Sequence, residues 1–219
     1  MAYSIAIDGP AGAGKSTIAK LIAKKKGYIY VDTGAMYRAM ALYLIRNGVT
    51  KDNTEAIDSL CRKADISISY ENGEQVVRLE GENVNSLIRT AQVSEMASVS
   101  SANANVRKKL VQLQQELAKR ENVVMDGRDI ASKVLPQADV KVYLTASTAC
   151  RAKRRYEELL EKGDKSQSLE EIERDIAERD HRDMTRENSP LVRVPEAVLV
   201  DSSDMTIEEV VEEILSLCK

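Results

Sequence analysis

Gly9, Gly14, Lys15 and Ser16 stand in the pattern G-x-x-x-x-G-K-[ST] within IDGPAGAGKST, residues 7–17. Residues of these types at this spacing hold phosphates. Glycines let backbone N–H groups approach phosphate oxygens with no Cβ in the way. The lysine reaches the β- and γ-phosphates, and the Ser16 hydroxyl can hold Mg²⁺. Gly9, Ala11, Gly12, Ala13, Gly14, Lys15, Ser16 and Thr17 are the candidate nucleotide-binding residues. Ser16 is the candidate metal ligand. The loop speaks for a phosphate-bearing donor and leaves the acceptor open.

Three further stretches carry candidate chemistry. VDTGAMYRAM, residues 31–40, places Thr33, Tyr37 and Arg38 after an apolar run. Arg38 could grip an anion through two parallel hydrogen bonds, or be a solvated surface arginine. VVMDGRDI, residues 123–130, brings Asp126, Arg128 and Asp129 to the end of another apolar run. An Asp in that position serves phosphate-loop enzymes as a metal or water anchor. Asp129, an acceptor when ionised, could receive an amino group of a base. An ordinary Asp-Gly turn reads the same way. In IAERDHRDMTREN, residues 176–188, Arg179, Asp183 and Arg186 are spaced i, i+4, i+7 and would share one helical face. That face could meet sugar hydroxyls and phosphates, or be an exposed ion-pair network. His181, the single histidine, reads as solvated.

These groups need a frame. Apolar, β-branched runs near residues 4–8, 28–31, 123–126, 140–144 and 198–200 read as core strands separated by helical patterns. Alternating β and α segments with buried strands predict a parallel five-stranded sheet covered on both faces, an α/β three-layer sandwich. Ligands in such sheets gather outside the carboxyl ends of the strands, where Thr33, Tyr37, Arg38 and the DGRD residues would stand. DISISY, ENGE and QVVRLE read as a β-hairpin turning at Asn72-Gly73, in an inserted lobe. Residues 149–186 read as two charged helices joined by KGDKSQS, with Gly163 ending the first and Ser168 capping the second, a polar lid.

Composition narrows the partners. Among 219 residues, 32 basic and 35 acidic side chains leave a net charge of −3, which argues against a general nucleic-acid binder. Tryptophan and phenylalanine are absent, so stacking platforms rest on eight tyrosines. Cys61, Cys150 and Cys218 are far apart, no C-x-x-C occurs and His181 is the single histidine, which argues against a Cys/His zinc site. No signal-peptide pattern and no run of about 18 apolar residues is seen. A reducing cytoplasm and a monomer without membrane or nucleic-acid partner are the expectation.

The phosphate loop, DTGAMYR, LEGENV, IRTAQVS, DGRD and ERDHRDMTR occur in the order seen in the bacterial cytidylate kinases, and the chain resembles that family over nearly its whole length. The loop is generic, whereas TGAMYR, DGRD and the hairpin insert together are specific. The resemblance implies one phosphate-loop kinase domain. Its core would be about residues 1–60, 110–148 and 188–219, with a nucleoside-monophosphate-binding insert at about 61–109 and a lid at about 149–187. It implies transfer of the γ-phosphoryl of ATP to CMP or dCMP with Mg²⁺. Arg38, Arg128 and Arg186 would hold the acceptor phosphate, and Arg179 and Asp183 would meet the sugar. Thr33, Ser98, Arg107 and Asp129 would read the cytosine or close its pocket, beside Tyr37. The acceptor is already an ionised phosphate oxygen, so no general base is expected. Lys15, Arg128, Arg186 and Arg154 would neutralise the transferring group. The chain departs from the family after DGRD, where Ala131 replaces a glycine and Lys133 adds a charge. Two rivals are a kinase of this fold with another acceptor and a nucleotide-dependent switch.

Overall fold

The computed structural model describes residues 2–218. Five strands form the main sheet: β1 (Ser4–Asp8), β2 (Ile29–Asp32), β6 (Val123–Gly127), β7 (Val140–Thr145) and β8 (Val198–Asp201), in the order β2-β6-β1-β7-β8. Every pairing is parallel. Strand alternation sends Ile5 and Ile7 to one face, against Ile18 and Ile22 of α1 (Lys15–Lys26) and Val210, Val211 and Ile214 of α8 (Ile207–Ser216). Ala6 goes to the other face with Val31, Val123 and Met125. Both faces are covered, as a parallel sheet requires. The expected runs all became strands, with β2 shifted by one residue toward Asp32. The register brings Ile7 opposite Asp126, and Asp32 opposite Asp126 on its other side. Three strands therefore end on carboxylates or glycine at one edge.

Between β2 and β6 stand α2 (Thr33–Arg46), α3 (Thr54–Cys61), the hairpin β3 (Ile66–Glu71) and β4 (Glu74–Leu79), a short β5 (Glu82–Asn83), α4 (Ala91–Ser100) and α5 (Ala104–Ala118). Asn72 and Gly73 both take positive φ, which closes the two-residue hairpin foreseen from the sequence. A second tight turn at Glu80-Gly81 adds β5, which no pattern in the sequence signalled. The apolar cluster here runs from Ala35 through Met36, Met40, Leu79 and Ile88 to Leu110. Helix α2, on the core side of the boundary expected near residue 61, buries its apolar face with the hairpin.

The lid pairs α6 (Thr148–Glu161) with α7 (Leu169–Thr185). Gly163 turns with positive φ, and Ser168 forms a capping box with Glu171. Its apolar core is small, Ala152, Leu159 and Ile172, and separate from the other clusters. Polar contacts must therefore set where the lid sits. Arg186 lies at the C-cap of α7 in extended backbone, so only Arg179 and Asp183 share the helical face expected for all three.

Candidate active site

The phosphate loop leaves β1 and enters α1. Gly9 has φ of 152°, and a Cβ there would lie 1.9 Å from the Leu144 carbonyl oxygen of β7. Only glycine lets the loop pass so close. Gly14 caps α1 with no side-chain hydrogen bond, which leaves the helix N-terminus open to an anion. Lys15 is buried and curls back, its Nζ donating to the Pro10 carbonyl at 2.6 Å. Burial and the neighbouring Arg128 hold its pKa well below the usual lysine value.

Asp126 receives the Ser16 hydroxyl at 3.0 Å and the Tyr30 hydroxyl at 2.8 Å. Burial and the nearby Asp32 raise its pKa. Among the described residues no group of three or more His, Cys, Asp or Glu could hold a metal alone. Mg²⁺ asks less: one or two hard oxygen ligands beside substrate phosphates. Ser16 and Asp126 are hard oxygens placed together at the loop, so the residues fit that ion.

Asp8, at the end of β1, braces the turn that follows β6 at the same edge. Its carboxylate accepts from the Ile130 and Ala131 N–H groups, each at 2.7 Å. Burial lifts its pKa to about 6 against the pull of those two bonds. The backbone of residues 130–134 forms one π-helical turn. Ala131 is buried there without positive φ, and Lys133 points to solvent, so the departure from the family pattern is accommodated.

A cavity of about 270 Å³ opens beside the loop. Seven basic and four acidic side chains line it, which favours an anion. Arg38 pairs with Asp32 at 3.1 Å, and Arg128 donates from Nε to Asp183 at 2.8 Å. Arg107 and Asp129 form a buried ion pair, with the Arg107 guanidinium 5.4 Å from the Tyr37 ring centroid. Arg186 donates to the Ser189 carbonyl at 2.8 Å and to the Ser101 hydroxyl at 3.3 Å. Burial first, then Arg128, lowers the Arg179 pKa to about 10. Tyr37 Oη, Arg38 Nε, Ser98 Oγ, Arg107 Nε, Arg179 Nε and Arg186 Nη2 are buried without a protein partner, and all six residues line this cavity. Buried polar groups are rarely left so unless a ligand completes them.

A second cavity of about 620 Å³ lies on the far side of the loop, along Gly12 to Thr17, Arg154, Ser202, Thr206 and Val210. Gly12, Lys15 and Ser16 line both cavities, so the two meet there.

Most of the expected residues are thus brought together. Thr33 lines the first cavity but its hydroxyl is spent on the Asp126 carbonyl at 2.6 Å. Gly9 lines neither cavity and packs against the Leu144 backbone of β7. Arg154 lines only the second cavity and binds Ser202 at 2.6 Å. The junction instead holds Arg128 and Arg179 close enough to act on Lys15 electrostatically. Sequence reasoning missed Asp8, Tyr30, Ser101, Arg151 and Asp180. The last two stand in charge-rich helical stretches, and nothing in that pattern marks them as buried.

A family model, Cytidylate kinase, matches residues 5–219. The chain belongs to the cytidylate kinase family. Cytidylate kinase of Caldicellulosiruptor saccharolyticus is 50% identical over 217 residues, covering 98% of this chain and 94% of that protein. Cytidylate kinase of Lactobacillus gasseri is 49% identical over 210 residues, covering 96% and 91%. The crystal structure of TT1252 from Thermus thermophilus shares the fold, with 18% identity, a TM-score of 0.51 and coverage of 100% and 98%. In this cytidylate kinase family member the resemblance seen in the motifs therefore holds along the whole chain. Among the described residues no helix is long and apolar enough to cross a membrane.

Proposed function

We propose that this protein transfers the γ-phosphoryl of ATP to CMP or dCMP, yielding ADP and CDP or dCDP. The carrying observation is the set of six buried, unpartnered polar atoms around a basic cavity that meets the phosphate loop at Lys15 and Ser16. ATP occupies the loop and the larger cavity, and the monophosphate occupies the smaller one.

In this reading Arg38, Arg128 and Arg186 hold the acceptor phosphate, and Arg38 turns to it from Asp32. Asp183 and Arg179 meet the sugar. Ser98 and the Arg107–Asp129 pair face the base: a carboxylate and a guanidinium side by side offer an acceptor to an exocyclic amine and donors to a carbonyl. Thr33 shapes the pocket wall through the Asp126 carbonyl. Lys15 swings from Pro10 to the β- and γ-phosphates. With Arg128 and Arg179 it gathers positive charge where negative charge develops. Arg154 serves the donor's side of the loop. Ser16 and Asp126 would hold Mg²⁺, which supplies charge neutralisation on the donor phosphates when bound. The acceptor oxygen carries no proton at neutral pH, so positioning suffices and no base is needed. The enzyme works as a cytoplasmic monomer, in keeping with three unpaired cysteines.

ADP release from MgATP, followed with CMP, dCMP, UMP, AMP or no acceptor, tests this. High rates with CMP and dCMP are expected. A higher rate with AMP would overturn the base assignment, and equal release without acceptor would overturn the kinase assignment.

A further inference from the structure

We propose that Arg151 and Asp180 are positioning residues for the donor: a buried ion pair, carried by the two lid helices, that fixes the orientation of the two peptide groups flanking Ala11 in the phosphate loop. Arg151 Nη1 donates to the Ala11 carbonyl at 2.9 Å, and the Ala11 N–H faces Asp180 Oδ1 at 3.4 Å. The pair itself closes at 2.7 Å between Nη1 and Oδ2. One ion pair therefore engages the two peptide groups that flank Ala11, the N–H of the first and the carbonyl of the second.

The rest of Arg151 is anchored to the core. Its Nε donates to the Ala146 carbonyl at 2.9 Å, just past the end of β7, and Nη2 donates to Thr148 Oγ1 at 3.1 Å. Arg151 is 4% exposed and Asp180 is 8% exposed. The loop lies directly on this side chain, since a Cβ on Gly12 would come within 3.4 Å of Arg151 Cβ. Asp180 follows Arg179 in α7, about 100° around the helix from it. Helix α7 thus turns Asp180 to the loop, while Arg179 and Asp183 line the acceptor cavity.

The direction of each peptide decides what a phosphate loop can bind. N–H groups must face the anion, and carbonyls must face away. Arg151 draws the Ala11 carbonyl toward the lid and so prevents a flip that would aim it at the phosphates. A buried ion pair is weak support for stability, because desolvation offsets its attraction. The geometry assigns it instead to selecting one loop conformation. Lid placement and donor binding are coupled through it.

This inference rests on the reading of the loop as the donor site. Titration calorimetry would measure MgATP and CMP binding separately in wild type, Lys15→Ala, Asp180→Asn and Arg151→Lys, with melting temperatures alongside. Lys15→Ala tests the underlying reading: unchanged MgATP affinity there would remove the donor site and not the clamp. Asp180→Asn keeps an acceptor for the Ala11 N–H but removes the charge. Arg151→Lys keeps the charge but removes the fork. Each is expected to weaken MgATP binding roughly 10- to 100-fold, as a misplaced positioning group does, with CMP affinity held within about threefold. Equal weakening of both ligands would overturn the proposal, as would a lower melting temperature with unchanged MgATP affinity. Failure of both variants to fold would also overturn it, by making the pair a folding element.

Discussion

Arg128 Nε donates to Asp183 Oδ2 at 2.8 Å, which ties the end of β6 to the lid helix α7. The bond crosses 55 residues of sequence, and both side chains are largely buried. Burial works to raise the Asp183 pKa, yet Arg128, Arg179 and Arg186 together hold it below the usual aspartate value. The carboxylate thus keeps three mutually repelling guanidiniums in one place.

Removing one of those cations should cost rate. Arg128→Ala is expected to lower kcat/KM for CMP by about 10²- to 10³-fold, with KM for ATP changed only a few-fold. Steady-state kinetics with each substrate varied in turn measures both. A CMP dependence within threefold of wild type would remove Arg128 from the acceptor site.

Tyr37 gives a prediction with two signs. Its hydroxyl is buried and lacks a partner, and burial raises its pKa to about 12, so it stays a donor. Tyr37→Phe should leave the free protein as stable or slightly more stable, since no hydrogen bond is lost. The same variant should bind CMP roughly tenfold more weakly, the loss of about one buried hydrogen bond. Thermal melts with and without CMP separate the two effects. A destabilised free protein would show that the hydroxyl has a partner of its own.

Asp8 and Asp183 should shift stability in opposite directions with pH. The folded pKa of Asp8 is raised to about 6 from 3.8, so the folded state binds the extra proton between those values. Its ionisation therefore costs stability as pH rises through that window, by up to about 3 kcal/mol. Asp183 has a lowered folded pKa, so its contribution is present above the unfolded value and is lost as pH falls through the folded one. Urea denaturation at pH 4.5 and 7 of wild type and Asp8→Asn tests the first. The stability difference, wild type minus variant, should be larger at the lower pH. A difference that grows with pH would mean that the amide bonds from Ile130 and Ala131 outweigh burial.

Gly9 has no tolerated replacement. Gly9→Ala would set a Cβ 1.9 Å from the Leu144 carbonyl oxygen, and both are backbone-held. A loss of more than about 3 kcal/mol is expected, seen as insoluble protein or a strongly lowered melting temperature. A soluble variant with unchanged melting would show that β1 and β7 can separate at that point.

The strands of the main sheet, the hairpin, the lid helices and the phosphate loop were legible in the sequence. Strands 4–8 and 123–127 carry apolar runs, Ile5 to Ile7 and Val123 to Met125, that are fully buried, as a doubly covered strand rewards, and in 140–145 Val140, Val142 and Leu144 supply the buried face. The loop was legible because its chemistry is local: eight consecutive positions supply the glycines, the lysine and the hydroxyl. The hairpin and both lid helices were legible from Asn72-Gly73, Gly163 and Ser168, whose effects reach only a few residues. The acceptor half came from the family's motifs more than from any spacing, since Ser98 and Arg107 carry no pattern of their own. What only the tertiary structure decided is which charges are buried. Arg151 and Arg155 stand four apart on one charged helix, yet Arg151 is buried against Ala11 and Arg155 is exposed beside Glu158. Arg154 and Arg128 were both expected at the transferring group, and the fold sends them to different cavities. A helix period fixes the angle of a side chain about its own axis, but the electrostatic role of that side chain depends on what another part of the chain sets against it, and that comes from packing at long sequence separation.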